Sequence, residues 1–157
     1  MRARETIVGV ISDTHGLLRP QAITVLRGSH MILHAGDIGN SAIIDELRKI
    51  APCFVVRGNI DSGRWAARLP ITMRVEIGGH QLLLLHQISL LTIDAAAAGL
   101  AAVVFGHSHR ASVETRAKVL FLNPGSAGPR RFNLPVSVAR ITVSGSRLRA
   151  EIVMLEV

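Results

Sequence analysis

Five apolar runs in this 157-residue chain each end on a side chain able to bind a divalent cation. Run 6–12 leads into Asp13-Thr14-His15, run 31–36 into Asp37, and run 54–58 into Asn59. Run 82–85 leads into His86, and run 103–106 into His107-Ser108-His109. Runs of this kind read as strands buried on both faces, and strands of α/β sheets present functional side chains at their carboxyl ends. If these strands share a sheet, seven oxygen and nitrogen ligands converge on one edge, enough for two metal ions.

Between the runs the chain alternates strand and helix. The expected elements are a strand over 6–12, a helix over 18–28, a strand over 31–35, a helix over 41–50 and a strand over 53–57. Ile43, Ile44, Leu47 and Ile50 fall on one face of the second helix, opposite Asp45, Glu46, Arg48 and Lys49. That order implies right-handed parallel crossovers. After Pro70 the pattern turns to hairpins: Ile71, Met73, Val75 and Ile77 alternate with polar residues, and Gly78-Gly79 supplies a two-residue turn. An alanine-rich helix is expected over 92–99, a strand over 101–105, and hairpins over 111–122 and 136–155, the last turning at Ser144-Gly145-Ser146. The whole reads as one α/β domain, 1–157, with a mixed sheet facing a second, more antiparallel sheet and helices outside.

Composition narrows the function classes. With 48% hydrophobic residues the chain is built to bury a core. No apolar run approaches the roughly 18 residues that span a bilayer, and residues 1–5 enter the first strand without the apolar region of a signal peptide. Cys53 is the only cysteine, which excludes an intramolecular disulfide and a thiolate cluster. A cytoplasmic location without membrane partners is expected. The net charge of +7 is carried almost wholly by arginine and favours anionic partners. Four Phe, one Trp and no Tyr leave little for stacking on single strands, so long nucleic acid is not an expected partner.

Taken singly, Gly36-Asp37 and Gly58-Asn59 are ordinary turn dipeptides, and Asp13-x-His15 is as easily a polar turn. Gly106-His107-Ser108-His109 is more telling, because two histidines straddling one residue after a buried strand suit a transition metal. The ordered series carries the argument: D-x-H, G-D, G-N, H and G-H-x-H, each at a strand end.

With that series, and with Asn123-Pro124-Gly125-Ser126 near the end, the chain resembles the calcineurin-like metallophosphoesterases, in particular their small single-domain bacterial and archaeal phosphodiesterase branch. The resemblance covers nearly the whole chain and implies a four-layer αββα sandwich of two mixed β-sheets flanked by helices. It implies one metal held by Asp13, His15, Asp37 and His109. A second is implied at Asp37, Asn59, His86 and His107, so that Asp37 bridges the pair and Asp37, Asn59 and His107 are the expected catalytic residues. Two ions about 3.5 to 4 Å apart can share a hydroxide for in-line attack at phosphorus. The implied cofactors are two divalent ions, Mn²⁺ first, with Zn²⁺, Fe²⁺ or Ni²⁺ also suited to oxygen and nitrogen ligands. Four positive charges from two ions, less two carboxylates and a hydroxide, leave one, which matches a diester monoanion better than a monoester dianion.

Two departures from the family pattern stand out. Many larger relatives carry His after the motif Asn, where this chain has Ile60, which cannot donate a proton to a leaving group; poor turnover of basic alkoxide esters is expected. The usual His-Gly is His86-Gln87 here, which makes His86 the least secure of the seven ligands. Elsewhere His34 reads as a core or supporting histidine, His30 and His80 lie at strand beginnings, and Cys53 reads as a packing residue. Asp61 reads equally as an orienting group or a helix cap, and Asn123 and Ser126 as pocket border or turn. Arg19, Arg57, Arg64, Arg130 and Arg131 are candidates to line the pocket. The expected partner is a small phosphodiester, with a homo-oligomer left open. The alternatives are a non-catalytic scaffold of the same fold, as the superfamily's retromer subunit is thought to be, and a nuclease or cyclic-nucleotide phosphodiesterase.

Overall fold

The structure, a computed structural model, describes residues 4–157; the reading of residues 1–3 as a lead-in without a signal peptide lies outside them. Among the described residues, ten strands form two five-stranded sheets. The first orders β10 (Arg147–Met154), β9 (Ser137–Ser144), β1 (Glu5–Ile11), β2 (Met31–His34) and β3 (Cys53–Val55). The second orders β4 (Thr72–Ile77), β5 (His80–Leu85), β6 (Ala102–Val104), β8 (Val119–Asn123) and β7 (Ser112–Arg116). Both are mixed. In the first, β1, β2 and β3 are parallel while β9 and β10 are antiparallel. In the second, β5, β6 and β8 are parallel and the outer pairs antiparallel. The second sheet is therefore no more antiparallel than the first, because the last hairpin returns to pair with β1.

Side-chain alternation sorts the apolar residues into layers. Val8, Val10 and Leu33 point inward and meet Leu82, Leu84, Val104 and Leu122 of the other sheet, forming the central core. On the outer face of the first sheet, Ile11, Ile32 and Val55 pack under Ala22 and Leu26 of α1 (Pro20–Leu26) and Ile43, Ile44 and Leu47 of α2 (Ser41–Arg48). Asn40 starts α2 by accepting a hydrogen bond from the Ala42 N–H, and Pro20 starts α1, where a missing N–H costs nothing. Truncating a fully buried residue such as Leu33 or Leu84 to alanine costs about 2–5 kcal/mol.

The outer face of the second sheet is covered differently. Leu83, Leu85, Val103 and Phe121 meet Ala95, Leu100, Ile88 and Leu91, which belong to a 3-10 turn (Ile88–Leu90) and a capped turn. The helix expected over 92–99 does not form. The Asp94 carboxylate accepts from the Ala97 N–H and its carbonyl from the Ala98 N–H, but Gly99, at φ 75, reverses the chain after that one turn. Alanine propensity cannot repay nucleation over so few residues. A short α3 (Arg64–Ala67) was not expected, and both main helices are shorter than their apolar patterns suggest. No helix among the described residues is long and apolar enough to cross a membrane.

Candidate metal centre

The seven predicted ligands lie at one end of the sandwich, and they come from both sheets. Asp13, His15, Asp37 and Asn59 follow β1, β2 and β3, whereas His86, His107 and His109 follow β5 and β6. The expected single sheet edge is thus the seam between two stacked sheets whose parallel strands end on the same side. The loops after β1 and β2 run together, with the Asp13 N–H bonded to the Gly36 carbonyl and the His15 N–H to the Asp37 carbonyl. Cross-sheet bonds close the seam. The His107 N–H reaches Asp13 Oδ2 at 3.1 Å, and His86 Nδ1 reaches the Ala35 carbonyl at 2.8 Å.

Two glycines make this approach sterically feasible. A Cβ on Gly58 would overlap the Asp37 backbone nitrogen and Oδ1, and one on Gly106 would overlap the Ser12 hydroxyl. The Gly-Asn and Gly-His dipeptides are therefore contact points between loops as well as turns. The ligand residues carry backbone strain themselves. Of nine non-glycine residues with positive φ among the described residues, five are Asp13, His15, Asp37, His107 and His109. Such conformations cost on the order of 1–3 kcal/mol each and persist where surrounding structure over-determines them.

Each carboxylate has one oxygen fixed and one presented. Asp13 Oδ2 accepts from Ser12 Oγ at 2.7 Å and from the His107 N–H, while Oδ1 faces His109 Nε2 at 3.4 Å and His15 Nε2 at 3.6 Å. Asp37 Oδ1 accepts from the Ile60 N–H at 3.0 Å, and its Oδ2 lies 3.2 Å from His86 Nε2 and 3.5 Å from His15 Nε2. Because Nδ1 of His86 donates to the Ala35 carbonyl, Nε2 turns its lone pair to the site when the ring is neutral. His86, the candidate most in doubt from sequence, thus has its ring fixed by a buried hydrogen bond.

The donor set fits cations. Asp13 Oδ1, His15 Nε2 and His109 Nδ1 are buried without a hydrogen-bond partner, a costly state for polar atoms unless something else satisfies them. Two groups of potential ligands converge, Asp13 with His15 and His109, and Asp37 with His86 and His107. Asn59 sits at the second group. Turned nitrogen-inward, its two amide hydrogens have His86 Nε2 (2.9 Å), His107 Nδ1 (3.1 Å) and Asp37 Oδ2 (3.2 Å) within reach as acceptors; turned oxygen-inward, it adds another electron pair for a cation.

Burial alone would raise the pKa of Asp13, but His15, His86, the Ser12 hydroxyl and His109 outweigh it and hold the carboxyl below its ordinary value. Asp37 is likewise lowered against its burial, by His86, the Ile60 N–H and His15. Both are charged at neutral pH. For His86 burial disfavours the imidazolium, and the two carboxylates overcome this and raise its pKa. A cation in that position competes with the proton. His109 is lowered, first by burial and also by His15 and Arg131, against the pull of Asp13.

The supporting residues resolve as well. His34 is fully buried; its Nδ1 accepts from the Gly36 N–H, so Nε2 donates to Thr14 Oγ1, which donates to the Ile38 carbonyl. Burial drives its pKa down to about 4, so the ring is a neutral strut between the first two ligand loops. Asp61 ties loops together by accepting from the Gly39 and Gly58 N–H groups. Asn123 donates to the Gly106 carbonyl and to Ser108 Oγ, and Ser126 to the Asp13 carbonyl, so both are loop anchors. Of the arginines, Arg57 borders a pocket beside Asn59 and His86, and Arg19 holds the Gly128 carbonyl. Ser12 and the Ile60 N–H escaped sequence reasoning: a serine ending an apolar strand and a backbone amide carry no signal of their own. His30 and His80 bond near strand starts, away from the site, and buried Cys53, with its pKa pushed up to about 12 chiefly by burial, is a packing residue.

The chain is similar to known proteins in both sequence and fold. Residues 7–146 match the calcineurin-like phosphoesterase superfamily domain. A probable metallophosphoesterase from Methanothermobacter thermautotrophicus is 32% identical over 94% of this chain and 91% of its own length. Among solved structures, vacuolar protein sorting 29 from Cryptosporidium parvum superposes with a TM-score of 0.81 at 20% identity, covering 98% of each chain. An archaeal phosphodiesterase superposes with a TM-score of 0.79 at 22% identity, covering 94% of this chain and all of that one. These two likenesses establish the fold alone.

Proposed function

The chain belongs to the calcineurin-like phosphoesterase superfamily, and on that premise we propose that it is a dimetal-dependent phosphodiesterase acting on small phosphodiesters. The observation that carries this reading is the position of Asp37 Oδ2, within 3.5 Å of His15 Nε2 in one ligand group and within 3.2 Å of His86 Nε2 in the other. Asp13, His15, Asp37 and His109 would hold one ion, and Asp37, Asn59, His86 and His107 the other. Bound there, two divalent ions supply an activated water and neutralise charge on a phosphoryl group. Mn²⁺ is the first candidate, and the donor set suits Zn²⁺, Fe²⁺ and Ni²⁺ as well.

The chain's own residues orient the centre. Ser12 and the His107 N–H hold Asp13 with Oδ1 inward, the Ile60 N–H does the same for Asp37 Oδ2, and the Ala35 carbonyl fixes the His86 ring. The exposed side of His107 and Asn59 leaves this half open to a phosphate ester. The Ile60 side chain is also exposed and cannot donate a proton, which favours esters whose leaving group needs none. A panel of monoesters, aryl diesters and cyclic nucleotides, assayed after chelation and after adding back each metal, tests the reading. Metal-restored hydrolysis of aryl diesters is expected; a clear monoester preference or full activity without metal contradicts it. Failure to bind any divalent ion would favour the scaffold alternative.

A further inference from the structure

A small cleft opens directly beside the second ligand group. Asn59 and His86 form its inner wall, and its remaining surface is mostly apolar. Leu85, almost fully buried at the end of β5, is its floor. Ile71 and Leu90 form its sides, and they are 45% and 54% exposed, large apolar groups left in water beside a polar centre. Local chain geometry puts them there. The Arg57 N–H bonds to the Pro70 carbonyl at 2.8 Å and brings residue 71 against the loop carrying Asn59. On the other side, the Leu90 N–H bonds to the Gln87 carbonyl, and this 3-10 turn folds Leu90 back over His86. Arg57 adds a positive charge at the edge.

We propose that this cleft is a specificity subsite that receives one apolar arm of the substrate, an aryl or branched alkyl ester group. The inference rests on the phosphodiesterase reading above and names the substrate class within it. A phosphoryl group held at Asn59 and His86 has its ester oxygens within reach of the cleft, and Arg57 balances the anionic side of the same group. The cleft is about 80 Å³ and open on one side, room for a single ring partly immersed and too little to enclose a nucleoside. Transfer of an apolar arm onto Ile71 and Leu90 removes two exposed apolar surfaces from water at once.

Calorimetric binding of phenylphosphonate and methylphosphonate to the Zn²⁺-loaded protein tests this, since each carries one arm and neither is hydrolysed. Phenylphosphonate is expected to bind roughly tenfold more tightly, in the range set by small apolar differences in a shaped pocket. Leu90→Ser and Ile71→Ser should each bring the two affinities closer, while Val113→Thr, on remote β7, should leave their ratio unchanged. Side-chain methyl resonances of Ile71 and Leu90 should shift with phenylphosphonate. Equal affinity for the two ligands, or failure of both to bind, overturns the subsite, while the phosphodiesterase reading stands or falls separately on metal-restored hydrolysis of aryl diesters. If Leu90→Ser dissociates a dimer and leaves the affinity ratio intact, the apolar rim is an interface between copies and the proposal falls.

Discussion

The two ligand groups are built from similar residues but differ in how they meet water. Asp13, His15 and His109 are mostly enclosed, and each takes a left-handed backbone conformation that the surrounding loops hold in place. Asp37 and His86 are buried as well, but His107 and Asn59 are exposed, and the apolar cleft opens beside them. One half is a closed frame and the other an open face, with the Asp37 carboxylate between them. The contrast implies that loss of a ligand should have different consequences on the two sides, and that Asp37 should matter to both.

The largest effect should come from Asp37→Ala. Removing the shared carboxylate should lower kcat/KM for an aryl diester by on the order of 10³-fold and weaken both metal sites, measured by initial rates and by equilibrium dialysis. If only one equivalent is lost, the bridging role is wrong. The next effect tests the frame through His34. Its folded pKa of about 4 lies below the ordinary 6.5, so between those values the unfolded chain takes up a proton that the folded chain does not. Stability from this group is intact above pH 6.5, falls as the pH drops toward 4, and amounts to about 3 kcal/mol. Denaturant midpoints across that range should show it, and His34→Gln should flatten the slope. An imidazole resonance of His34 titrating near 6.5 contradicts the assignment.

His107→Ala should weaken one metal equivalent by roughly 10- to 100-fold while leaving the folded protein intact, because its side chain is exposed. His109→Ala, in the enclosed half, should lower the thermal midpoint of the apoprotein as well. Equal behaviour of the two variants would erase the distinction between frame and face. The smallest effect is expected from Ile60→His, which should raise turnover of alkyl esters relative to aryl esters several-fold. No change in leaving-group dependence would mean that Ile60 does not account for it.

Much of this organisation was legible in the sequence because buried parallel strands are written as apolar runs with their chemistry at the ends. The strand-end placement of all seven candidate residues was readable that way, and the turn at Gly78-Gly79 followed from its flanking alternation. The assignment of strands to sheets was not. Nothing local in residues 137–154 says that this hairpin pairs with β1 at the other end of the chain, so the site looked like one sheet edge when it is a seam between two. The region 92–99 misled for another reason: its alanines favour helix locally, but an Asp cap at one end and a glycine turn at the other leave room for one turn. The Ile60 N–H was invisible because only long-range packing brings it to Asp37, and Ser12 because a serine beside an aspartate at a strand end carries no signal of its own. The same packing shows why Gly58 and Gly106 must be glycine, where sequence alone offered a turn preference for Gly58 and no reason for Gly106.

The most direct test is to remove metal from the protein, add Mn²⁺ back in measured equivalents, and follow bound metal and hydrolysis of bis(4-nitrophenyl) phosphate in the same samples. Two ions should bind per chain, with the rate rising as the second site fills. Full turnover in the chelated protein, or a rate that saturates at one equivalent, would contradict a shared two-metal centre bridged by Asp37.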